Sequence, residues 1–283
     1  MRTKDIETKA ILRLQEAAQM SSQIYEKPLL LTYSGGKDSD LTVDLAIKAG
    51  IPFEVAHSLT SVDMPETVHH IRKVFVRLEN QGIPCKIIKP TYKNAPVTMW
   101  TLIPQKGLPP TRFMRYCCSV LKEQVGKNRF IATGVRRAES TKRATRESFE
   151  IIGSSKKNGV LLADEEVFSQ DNTEKRMMFE TCKLKAKRTV NPIIDWTNEQ
   201  VWDYIESEHI DINPKYCEGY KRIGCIGCPL AARHSRLREF EDYPSYKRAY
   251  IRAFDKMLEM RKAKGLQTDW KSGEEVFEWW VSK

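Results

Sequence analysis

The sequence has no long apolar run. Nowhere among its 283 residues do about 20 consecutive apolar residues occur, which is the length that a membrane-spanning helix needs. The N-terminal segment also lacks the continuous apolar stretch of a secretory signal, because charged side chains interrupt it. We therefore expect a cytoplasmic protein with no membrane partner. Hydrophobic residues still make up 41% of the chain, which is enough for a core.

Acidic residues are in deficit. Asp and Glu total 37 against 47 for Lys and Arg, which gives a formal net charge of +10. This balance favours an anionic partner, namely a nucleotide, a nucleic acid or an acidic protein, although an ordinary basic surface would give the same sum. The sequence also lacks internal repeats and low-complexity tracts, so it is typical of one or two globular domains.

Short apolar runs alternate with segments of helical spacing in the first half of the chain. Four of these runs predict strands: residues 29–33, 53–57, 85–88 and 130–133. Strand alternating with helix predicts an α/β fold, with a doubly wound, mostly parallel sheet and flanking helices. In such a sheet ligands bind beyond the carboxyl ends of the strands, so the turn after the first strand is the expected site.

A glycine-rich turn follows the first predicted strand, and a predicted helix begins directly after it. The turn consists of Ser34, Gly35, Gly36, Lys37, Asp38 and Ser39. Consecutive backbone N–H groups and the start of a helix can bind an anion there, and glycine permits its close approach. The turn has neither the Walker A spacing nor G-x-G-x-x-G, and a tight turn without a ligand is the alternative.

In this setting the turn resembles the PP-loop of the adenine nucleotide alpha hydrolase superfamily, which contains N-type ATP pyrophosphatases and sulfonucleotide reductases. The resemblance implies that the turn binds the pyrophosphate of ATP with Mg, or the matching sulfate or phosphate of a sulfonucleotide. It also implies that Lys37 supplies a nearby cation. The residues implied to hold the anion are Ser34, Gly35, Gly36, Asp38 and Ser39.

Three later segments narrow the resemblance to the phosphoadenosine phosphosulfate reductase family. They are residues 63–67, 133–140 and 191–197, which follow one another in the order that the family has. The further nucleotide contacts implied by the resemblance are Asp63, Gly134, Arg136 and Glu139. The catalytic residues that it implies are Lys37, Asp38, Arg136 and Arg143.

Two arginines and one aspartate of these segments each have a second interpretation. Arg136 and Arg143 follow a predicted strand, where a guanidinium can bind two phosphate oxygens at once, but a surface ion pair is the alternative. Asp195 begins a turn into a helix, and capping that helix is nearly as well supported as a functional role.

The later cysteines indicate a metal centre. Cys117 and Cys118 are adjacent, Cys182 stands alone, and Cys225 and Cys228 form a C-x-x-C pair. Thiolates in this number suit an iron-sulfur cluster or zinc, but zinc more usually has two tight C-x-x-C pairs. A tandem followed by C-x-x-C resembles the 4Fe-4S segment of adenylylsulfate reductases. The similarity to DNA phosphorothioation ATPases implies another set, in which one tandem cysteine joins Cys182, Cys225 and Cys228.

Two cysteines lie outside both ligand sets. Cys85 falls in a predicted strand and is expected to be a small core residue. Cys217 lies near the C-x-x-C pair, where it is either a plain loop thiol or a persulfide carrier.

The pattern divides the chain into three parts. We expect an N-terminal helix over residues 1–28 and a PP-loop nucleotide-binding domain over 29–232. Residues 137–190 are dense in charge and poor in periodicity, which predicts an insertion in that domain. Residues 233–283 are expected to be helical and to include one long basic helix over about 238–263. Together with the C-x-x-C pair, this helical C-terminal portion is expected to carry part of the iron-sulfur site.

No cysteine follows Cys228 in the sequence. Sulfonucleotide reductases of this family use a cysteine on a C-terminal tail as their nucleophile, so we expect the chemistry shared by the rest of the superfamily. In that chemistry ATP is cleaved to AMP and pyrophosphate, and the activated acceptor takes up sulfur. The alternatives are sulfonucleotide reduction with an external thiol or Cys217, and a noncatalytic nucleotide- or nucleic-acid-binding subunit.

The expected partners follow from this chemistry and from the charge. They are an adenine nucleotide, a nucleic-acid acceptor and a sulfur-donor protein such as a cysteine desulfurase. Basic residues are concentrated over residues 112–146. This stretch would serve either to attract the nucleotide or to bind a nucleic-acid acceptor.

Overall fold

A computed structural model describes residues 3–126, 128–141, 143–152 and 187–283 of the chain. The described chain forms two compact units. The first consists of Met1–His57, His70–Lys86 and Gly126–Asn213, and the second of Ser58–His69, Ile87–Val125 and Pro214–Lys283. Most of the insertion expected at residues 137–190 lies outside the described residues, and the limits expected at residues 28 and 232 stay predictions.

In the part of the chain that the structure describes, the main sheet has six strands and a separate hairpin has two. The strands are β1 Leu29–Thr32, β2 Phe53–Ser58, β3 Cys85–Ile88, β4 Thr91–Tyr92, β5 Ala95–Pro96, β6 Phe130–Ala132, β7 Phe149–Ile152 and β8 Lys187–Val190. The order across the main sheet is β3-β2-β1-β6-β8-β7. β1 is parallel to β2 and β6, and β6 is parallel to β8, whereas β7 runs antiparallel to β8. The predicted α/β fold with a mostly parallel sheet is confirmed.

Strand β1 lies at the point where the strand order reverses. The chain adds β2 on one side of β1 and later returns to add β6 on the other. The apolar side chains of Leu29, Leu30 and Leu31 are all buried, as expected for a strand covered on both faces. In an open α/β sheet a crevice for ligands forms at such a reversal, beyond the carboxyl ends of the strands. The fold therefore places the glycine-rich turn at the position where this architecture binds ligands.

Nine helices are present in the described part of the chain. They are α1 Thr3–Tyr25, α2 Lys37–Lys48, α3 Pro65–Glu79, α4 Met99–Lys106, α5 Tyr116–Leu121, α6 Asn198–Ser207, α7 Arg233–Asp242, α8 Pro244–Ala263 and α9 Gly273–Ser282. None of the described helices combines the length and the apolar character that a bilayer crossing requires.

The prediction of one long basic helix over about 238–263 is wrong. The structure has two helices there, because α7 ends at Asp242 and α8 begins at Pro244. Proline has no backbone N–H to donate and its ring clashes with the preceding turn, so it is disfavoured inside a helix but well suited to the first position. The helical spacing continues across the break, which is why periodicity alone joins the two.

Each unit has its own apolar core. In the first unit, helix α1 contributes Ile6, Ala10 and Leu14, which are at most 3% exposed and recur at helical spacing. In the second unit, the core is rich in aromatic rings, and the fully buried Trp280 packs against Tyr250 with ring centroids 4.8 Å apart. Interlocked aromatic rings bury large areas, so the second unit has a stable core of its own.

Asp195 is the centre of an ion-pair group in the first unit. Its carboxylate lies 2.9 Å from Lys9 Nζ, 2.6 Å from an Arg13 nitrogen and 2.8 Å from an Arg137 nitrogen. Helix α6 is instead capped by Thr197, whose hydroxyl accepts the Gln200 N–H at 3.2 Å. The capping role considered for Asp195 is therefore wrong, and its carboxylate ties α1 to the segment before α6.

An Asp195→Asn variant should reduce the free energy of unfolding by about 1–2 kcal/mol near neutral pH, since it removes three partly exposed ion pairs. Partial burial alone would raise the pKa of Asp195, but the hydrogen bonds from Lys9 and Arg13 outweigh it and hold this pKa below its usual value. A carboxylate with a lowered pKa stabilises the fold above its unfolded pKa, and this stabilisation is lost as the pH falls through the folded pKa. The variant's deficit should therefore shrink towards about pH 3.

Urea unfolding of both forms at several pH values measures this difference. Asp203→Asn is a matched control, because Asp203 is exposed and forms no ion pair with the residues that the structure describes. Two results would contradict the stabilising role of the Asp195 ion pairs. One is an equal decrease in the free energy of unfolding in both variants, and the other is a decrease in Asp195→Asn that does not change with pH.

Candidate functional site

The glycine-rich turn joins the end of β1 to the start of α2. Gly35 has φ 73°, in the left-handed region that glycine enters without strain. The Ser39 hydroxyl donates to the Gly36 carbonyl at 2.7 Å and accepts the Gly36 N–H at 3.2 Å. The Ser34 hydroxyl lies 3.3 Å from that of Ser39. The structure thus brings all the predicted turn residues together, with the Ser39 side chain bracing the turn from within.

Two cations share one carboxylate beside the turn. Arg136 Nε donates to Asp38 Oδ1 at 2.6 Å, and Lys37 Nζ lies 2.9 Å from Asp38 Oδ2. Arg136 and Lys37 are only 3% and 5% exposed. Two cations are thus held next to the N-terminus of α2. Both features favour an anion at the turn.

Gly134 permits the contact between the end of β6 and the turn. A Cβ added at Gly134 would lie 2.7 Å from the backbone oxygen of Asp38 and 2.9 Å from its carbonyl carbon. Real Cβ atoms do not approach backbone so closely, so only glycine fits here. The sequence segment that contains Gly134 and Arg136 is therefore packed directly against the start of α2.

Glu139 links the backbone of Arg136 to the side chain of Arg143. The Glu139 carboxylate accepts the backbone N–H of Arg136 at 2.9 Å and forms an ion pair with Arg143. Arg143 is thus occupied by Glu139 and does not contact the turn in this structure. The nucleotide contact predicted for Glu139 and the catalytic role predicted for Arg143 stay predictions.

Asp63 is placed in the second unit, with the cysteines. Its Oδ2 accepts the backbone N–H of Thr60 at 3.1 Å, and its backbone forms an isolated bridge with Cys225. The charge of Cys225, followed by that of Asp63, raises the pKa of Lys122. The structure therefore groups Asp63 with the thiols, while the nucleotide contact predicted for it stays a prediction.

A buried polar group behind the turn was missed in the sequence. The Tyr33 hydroxyl donates to Asp40, and His70 Nε2 lies 3.0 Å from Asp40 Oδ1. Burial raises the pKa of Asp40, although hydrogen bonds from His70 and Tyr33 oppose that rise. Together these contacts fasten the first turn of α2 to the end of β1 and to α3. No local signal in the sequence of α2 marks Asp40, because Lys37, Ser39 and Thr42 on the same helix are polar and buried as well.

A His70→Leu variant should lower the free energy of unfolding by about 3 kcal/mol, because it takes one donor away from a buried carboxyl. His70→Gln keeps an N–H donor and should cost about 1 kcal/mol. Urea unfolding of the two variants tests this directly. If Leu and Gln are equally destabilising, Asp40 does not depend on the donor at position 70.

Two adjacent cysteines, Cys117 and Cys118, lie in the first turn of helix α5 in the second unit. A hydrogen bond with Cys117 lowers the pKa of Cys118, and the neighbouring charges of Arg115 and Lys122 lower it further, against the effect of burial. An Arg115 nitrogen lies 3.5 Å from Cys118 Sγ. The pKa of Cys117 is raised, first by its bond with Cys118 and then by burial. The Arg115 guanidinium therefore favours a thiolate at Cys118.

The turn between Cys225 and Cys228 packs against residues of helix α7. A Cβ at Gly227 would lie 2.5 Å from a Phe240 ring carbon, and the Gly227 N–H donates to Glu239 Oε2 at 2.7 Å. Burial raises the pKa of Glu239 to about 7. Glycine at position 227 thus lets the C-x-x-C turn pack against α7.

The described cysteines have the donor chemistry of a metal centre. Cys117, Cys118, Cys225 and Cys228 all belong to the second unit, and the charges of Cys225 and Cys228 act on the Cys117 thiol. Among the residues described, no three or more His, Cys, Asp or Glu side chains are arranged to hold a metal ion. Cys182 lies outside the described residues. Thiolates with cations beside them fit an iron-sulfur cluster, and the choice of ligands stays open.

The remaining two cysteines differ in exposure. Cys85 is partly buried in β3, and burial raises its pKa to about 11, as expected for an unreactive packing residue. Cys217 is exposed on the segment after the short helix Pro214–Tyr216. Of the cysteines that the structure describes, Cys217 alone is exposed.

The sequence predicted a member of the phosphoadenosine phosphosulfate reductase family, and the family model of the phosphoadenosine phosphosulfate reductase domain matches residues 28–231. The chain therefore belongs to the phosphoadenosine phosphosulfate reductase domain family.

Relatives of known sequence include both uncharacterized proteins and reductases. An uncharacterized protein of Methanocaldococcus jannaschii is 27% identical over 245 residues, which is 84% of this chain and 48% of that protein. A second one from the same organism is matched over 36% of its length, so the chain spans half or less of these two relatives. The adenosine 5'-phosphosulfate reductase of Anoxybacillus flavithermus is 25% identical over 218 residues, 74% of this chain and 75% of that enzyme.

Two solved structures illustrate the range of similar folds. The phosphoadenylyl-sulfate reductase of Candida auris is 18% identical with a TM-score of 0.46, and the match covers 75% of this chain and 87% of that one. The U34-tRNA thiolase NcsA of Methanococcus maripaludis, solved with its 4Fe-4S cluster, is 12% identical with a TM-score of 0.43. That match covers 92% of this chain and 82% of the thiolase.

Proposed function

We propose that this chain binds an adenine nucleotide at residues 34–39 and cleaves ATP to AMP and pyrophosphate, which activates an acceptor for sulfur transfer. The observation that carries the proposal is the turn itself. It combines a left-handed Gly35, the N-terminus of α2 and the cations of Lys37 and Arg136 at the strand reversal. These are the features that bind a polyphosphate chain.

Each residue near the turn has a definite part in the proposed reaction. Backbone N–H groups of the turn and the N-terminus of α2 hold the β- and γ-phosphates. Lys37 and Arg136 balance the charge that develops on pyrophosphate as it leaves the α-phosphorus, to which an acceptor oxygen becomes bonded. Asp38 keeps both cations oriented. Mg, when bound, neutralises the phosphate oxygens of the leaving group.

In the second half of the reaction a sulfur nucleophile displaces AMP from the acceptor. The thiolates of Cys225 and Cys228 would hold a 4Fe-4S cluster together with both tandem cysteines, or with one of them and Cys182. Each set provides one thiolate for every iron of such a cluster, so the cluster would supply an iron for the incoming sulfide by exchange of one of these thiolates. Arg115 and Lys122 would offset the negative charge that thiolates bring to the site.

Sulfonucleotide reduction is the second candidate, and the similarity to adenosine 5'-phosphosulfate reductase favours it. In that reaction an accessible thiol attacks the sulfur and displaces the adenine nucleotide, and a second thiol then releases sulfite as a disulfide forms. Among the described cysteines, Cys217 alone is exposed, so a reductase would use Cys217 or a thiol from another molecule. ATP-dependent sulfur transfer does not need such a thiol, and we therefore prefer it.

The two candidates give different products. Anaerobically purified protein should release pyrophosphate from ATP in the presence of Mg, sulfide and a pool of candidate acceptors that includes small molecules as well as single-stranded RNA and DNA. It should release no sulfite from adenosine phosphosulfate or phosphoadenosine phosphosulfate with glutathione or thioredoxin. Sulfite release would establish the reductase, and its loss in Cys217→Ser would identify the internal thiol. Nucleotide binding with neither product would point to a noncatalytic subunit and contradict the proposal.

We also propose a sulfur donor and a cellular location. The sulfur would come from a donor protein such as a cysteine desulfurase, and the reaction would take place in the cytoplasm. Sulfide replaces the donor protein in the experiment above, so its outcome does not depend on the identity of that donor.

A further inference from the structure

Residues 80–122 contain no Asp or Glu, but they contain seven Lys or Arg. From Ile87 onwards this segment belongs to the second unit, where it forms the β4–β5 hairpin, α4 and α5. In the described part of the chain, no ion pair links Lys93, Lys106 or Arg112 to a carboxylate. The positive charges of Lys93, Lys106 and Arg112 are therefore not compensated by a described carboxylate and are available to an anionic ligand.

Phe113 is 97% exposed within this basic segment. The other exposed large apolar side chains of the second unit are 38–51% exposed, which is ordinary for single surface residues. A phenylalanine that contacts almost nothing contributes nothing to folding, and Arg112 and Met114 on either side of it are exposed as well. The sequence thus presents an unpacked aromatic ring between cationic side chains.

A second aromatic and cationic group adjoins the first. Lys106 Nζ lies 3.0 Å from the Tyr92 hydroxyl and 4.3 Å from its ring centroid, and Lys93 Nζ lies 5.7 Å from the same ring. Lys106 is also 5.8 Å from the ring of Tyr116, the residue that follows Arg115. We name the resulting face the stacking surface. It consists of Tyr92, Lys93, Lys106, Arg112, Phe113 and Arg115.

The stacking surface lies beside the thiols of the same unit. Arg112 Nε donates to the carbonyl of Pro229, which follows Cys228, at 3.1 Å. Arg115 contacts Cys118 Sγ at 3.5 Å. A ligand on this surface would therefore be close to the cysteines that we propose for the sulfur chemistry.

We propose that the stacking surface binds single-stranded nucleic acid as the acceptor of sulfur, an inference that rests on the proposed function. Unpaired bases stack on exposed aromatic rings and guanidinium planes, while lysines contact the phosphates. A duplex hides its base faces and would use the charges but not Phe113. An acidic protein would likewise use the charges, but it has no reason to require a planar exposed ring.

Fluorescence anisotropy with labelled oligonucleotides tests the role of Phe113. RNA and DNA of one mixed sequence, each single-stranded and as a duplex, are titrated with the nucleotide-free protein. Wild type should bind single strands more tightly than duplexes, Phe113→Ala should weaken single-strand binding about tenfold, and Phe113→Trp should keep it. Comparison of RNA with DNA shows which of the two the protein binds more tightly.

Salt dependence tests the role of the lysines. Removing two phosphate contacts in Lys93→Ala/Lys106→Ala should reduce the slope of log affinity against log salt by about 1.4. Arg248→Ala/Arg252→Ala removes the same charge from the exposed face of α8 and should leave the slope unchanged.

Three results would contradict the binding of single-stranded nucleic acid at the stacking surface. They are equal binding of duplex and single strand, no effect of Phe113→Ala, and an equal change of slope in the two double variants. Stronger binding of polyglutamate than of either single strand would instead indicate an acidic protein partner and would also overturn it. The pyrophosphate assay can succeed or fail independently of these measurements, so failure of this inference is distinguishable from failure of the proposed function.

Discussion

A Gly134→Ala variant should bind ATP at least about 100-fold more weakly than the wild type. The new methyl group would lie 2.7 Å from the backbone oxygen of Asp38, and a backbone atom in the first turn of α2 cannot rotate away as a side chain can. The segment after β6 and the start of α2 must therefore separate. Loss of one or two hydrogen bonds to the charged phosphates, at about 1.5–3 kcal/mol each, weakens binding about 100-fold.

Isothermal titration calorimetry measures this affinity, and urea unfolding shows whether the fold itself is weakened. Gly224→Ala is the control, because a Cβ there meets nothing closer than 3.9 Å. Arg136→Lys is a second variant that leaves the backbone intact but replaces the planar guanidinium beside Asp38. If Gly134→Ala and Arg136→Lys both bind ATP as the wild type does, residues 34–39 are not the nucleotide site.

Loss of Cys225 or Cys228 should remove nearly all iron from the protein. Both cysteines belong to each of the two ligand sets, and the wild type purified anaerobically should contain about four iron and four sulfide per chain. Cys118→Ser and Cys182→Ser then separate the sets. Iron that persists without Cys182 but not without Cys118 selects the tandem arrangement.

Iron and sulfide analysis with absorbance spectra provides the measurement. Cys217→Ser and Cys85→Ser are matched controls, because Cys217 is exposed and Cys85 is a packing residue in β3, outside both sets. A full complement of iron in Cys225→Ser and Cys228→Ser would contradict the cluster. Zinc in place of iron would contradict it as well.

The parts of the fold that the sequence predicts well are those with strong local signals. The uninterrupted apolar run at Leu29–Thr32 predicts a strand buried on both faces, and glycine after it predicts the turn. The two-residue strands of the β4–β5 hairpin are too short to produce a periodic signal. The break between α7 and α8 depends on the single residue Pro244, which periodicity does not detect.

The candidate site likewise has parts that the sequence predicts and parts that it does not predict. Motif order predicts that Gly134 and Arg136 belong with the turn, because strands β1 and β6 are neighbours in a parallel sheet. It does not predict that Asp63 lies with the thiols, since that depends on how the chain alternates between two units. The contact of His70 with Asp40 spans 30 residues of sequence and has no local signal.

The fate of the α-phosphate distinguishes cleavage of ATP to AMP and pyrophosphate from hydrolysis to ADP. ATP labelled at that phosphate is incubated anaerobically with the protein, Mg, sulfide and a pool of single-stranded RNA and DNA, and the labelled products are separated by thin-layer chromatography. We expect labelled AMP from the wild type. Gly134→Ala should form at most about a hundredth of that amount of AMP at subsaturating ATP. Labelled ADP, or intact ATP under all of these conditions, would contradict the proposed cleavage to AMP and pyrophosphate.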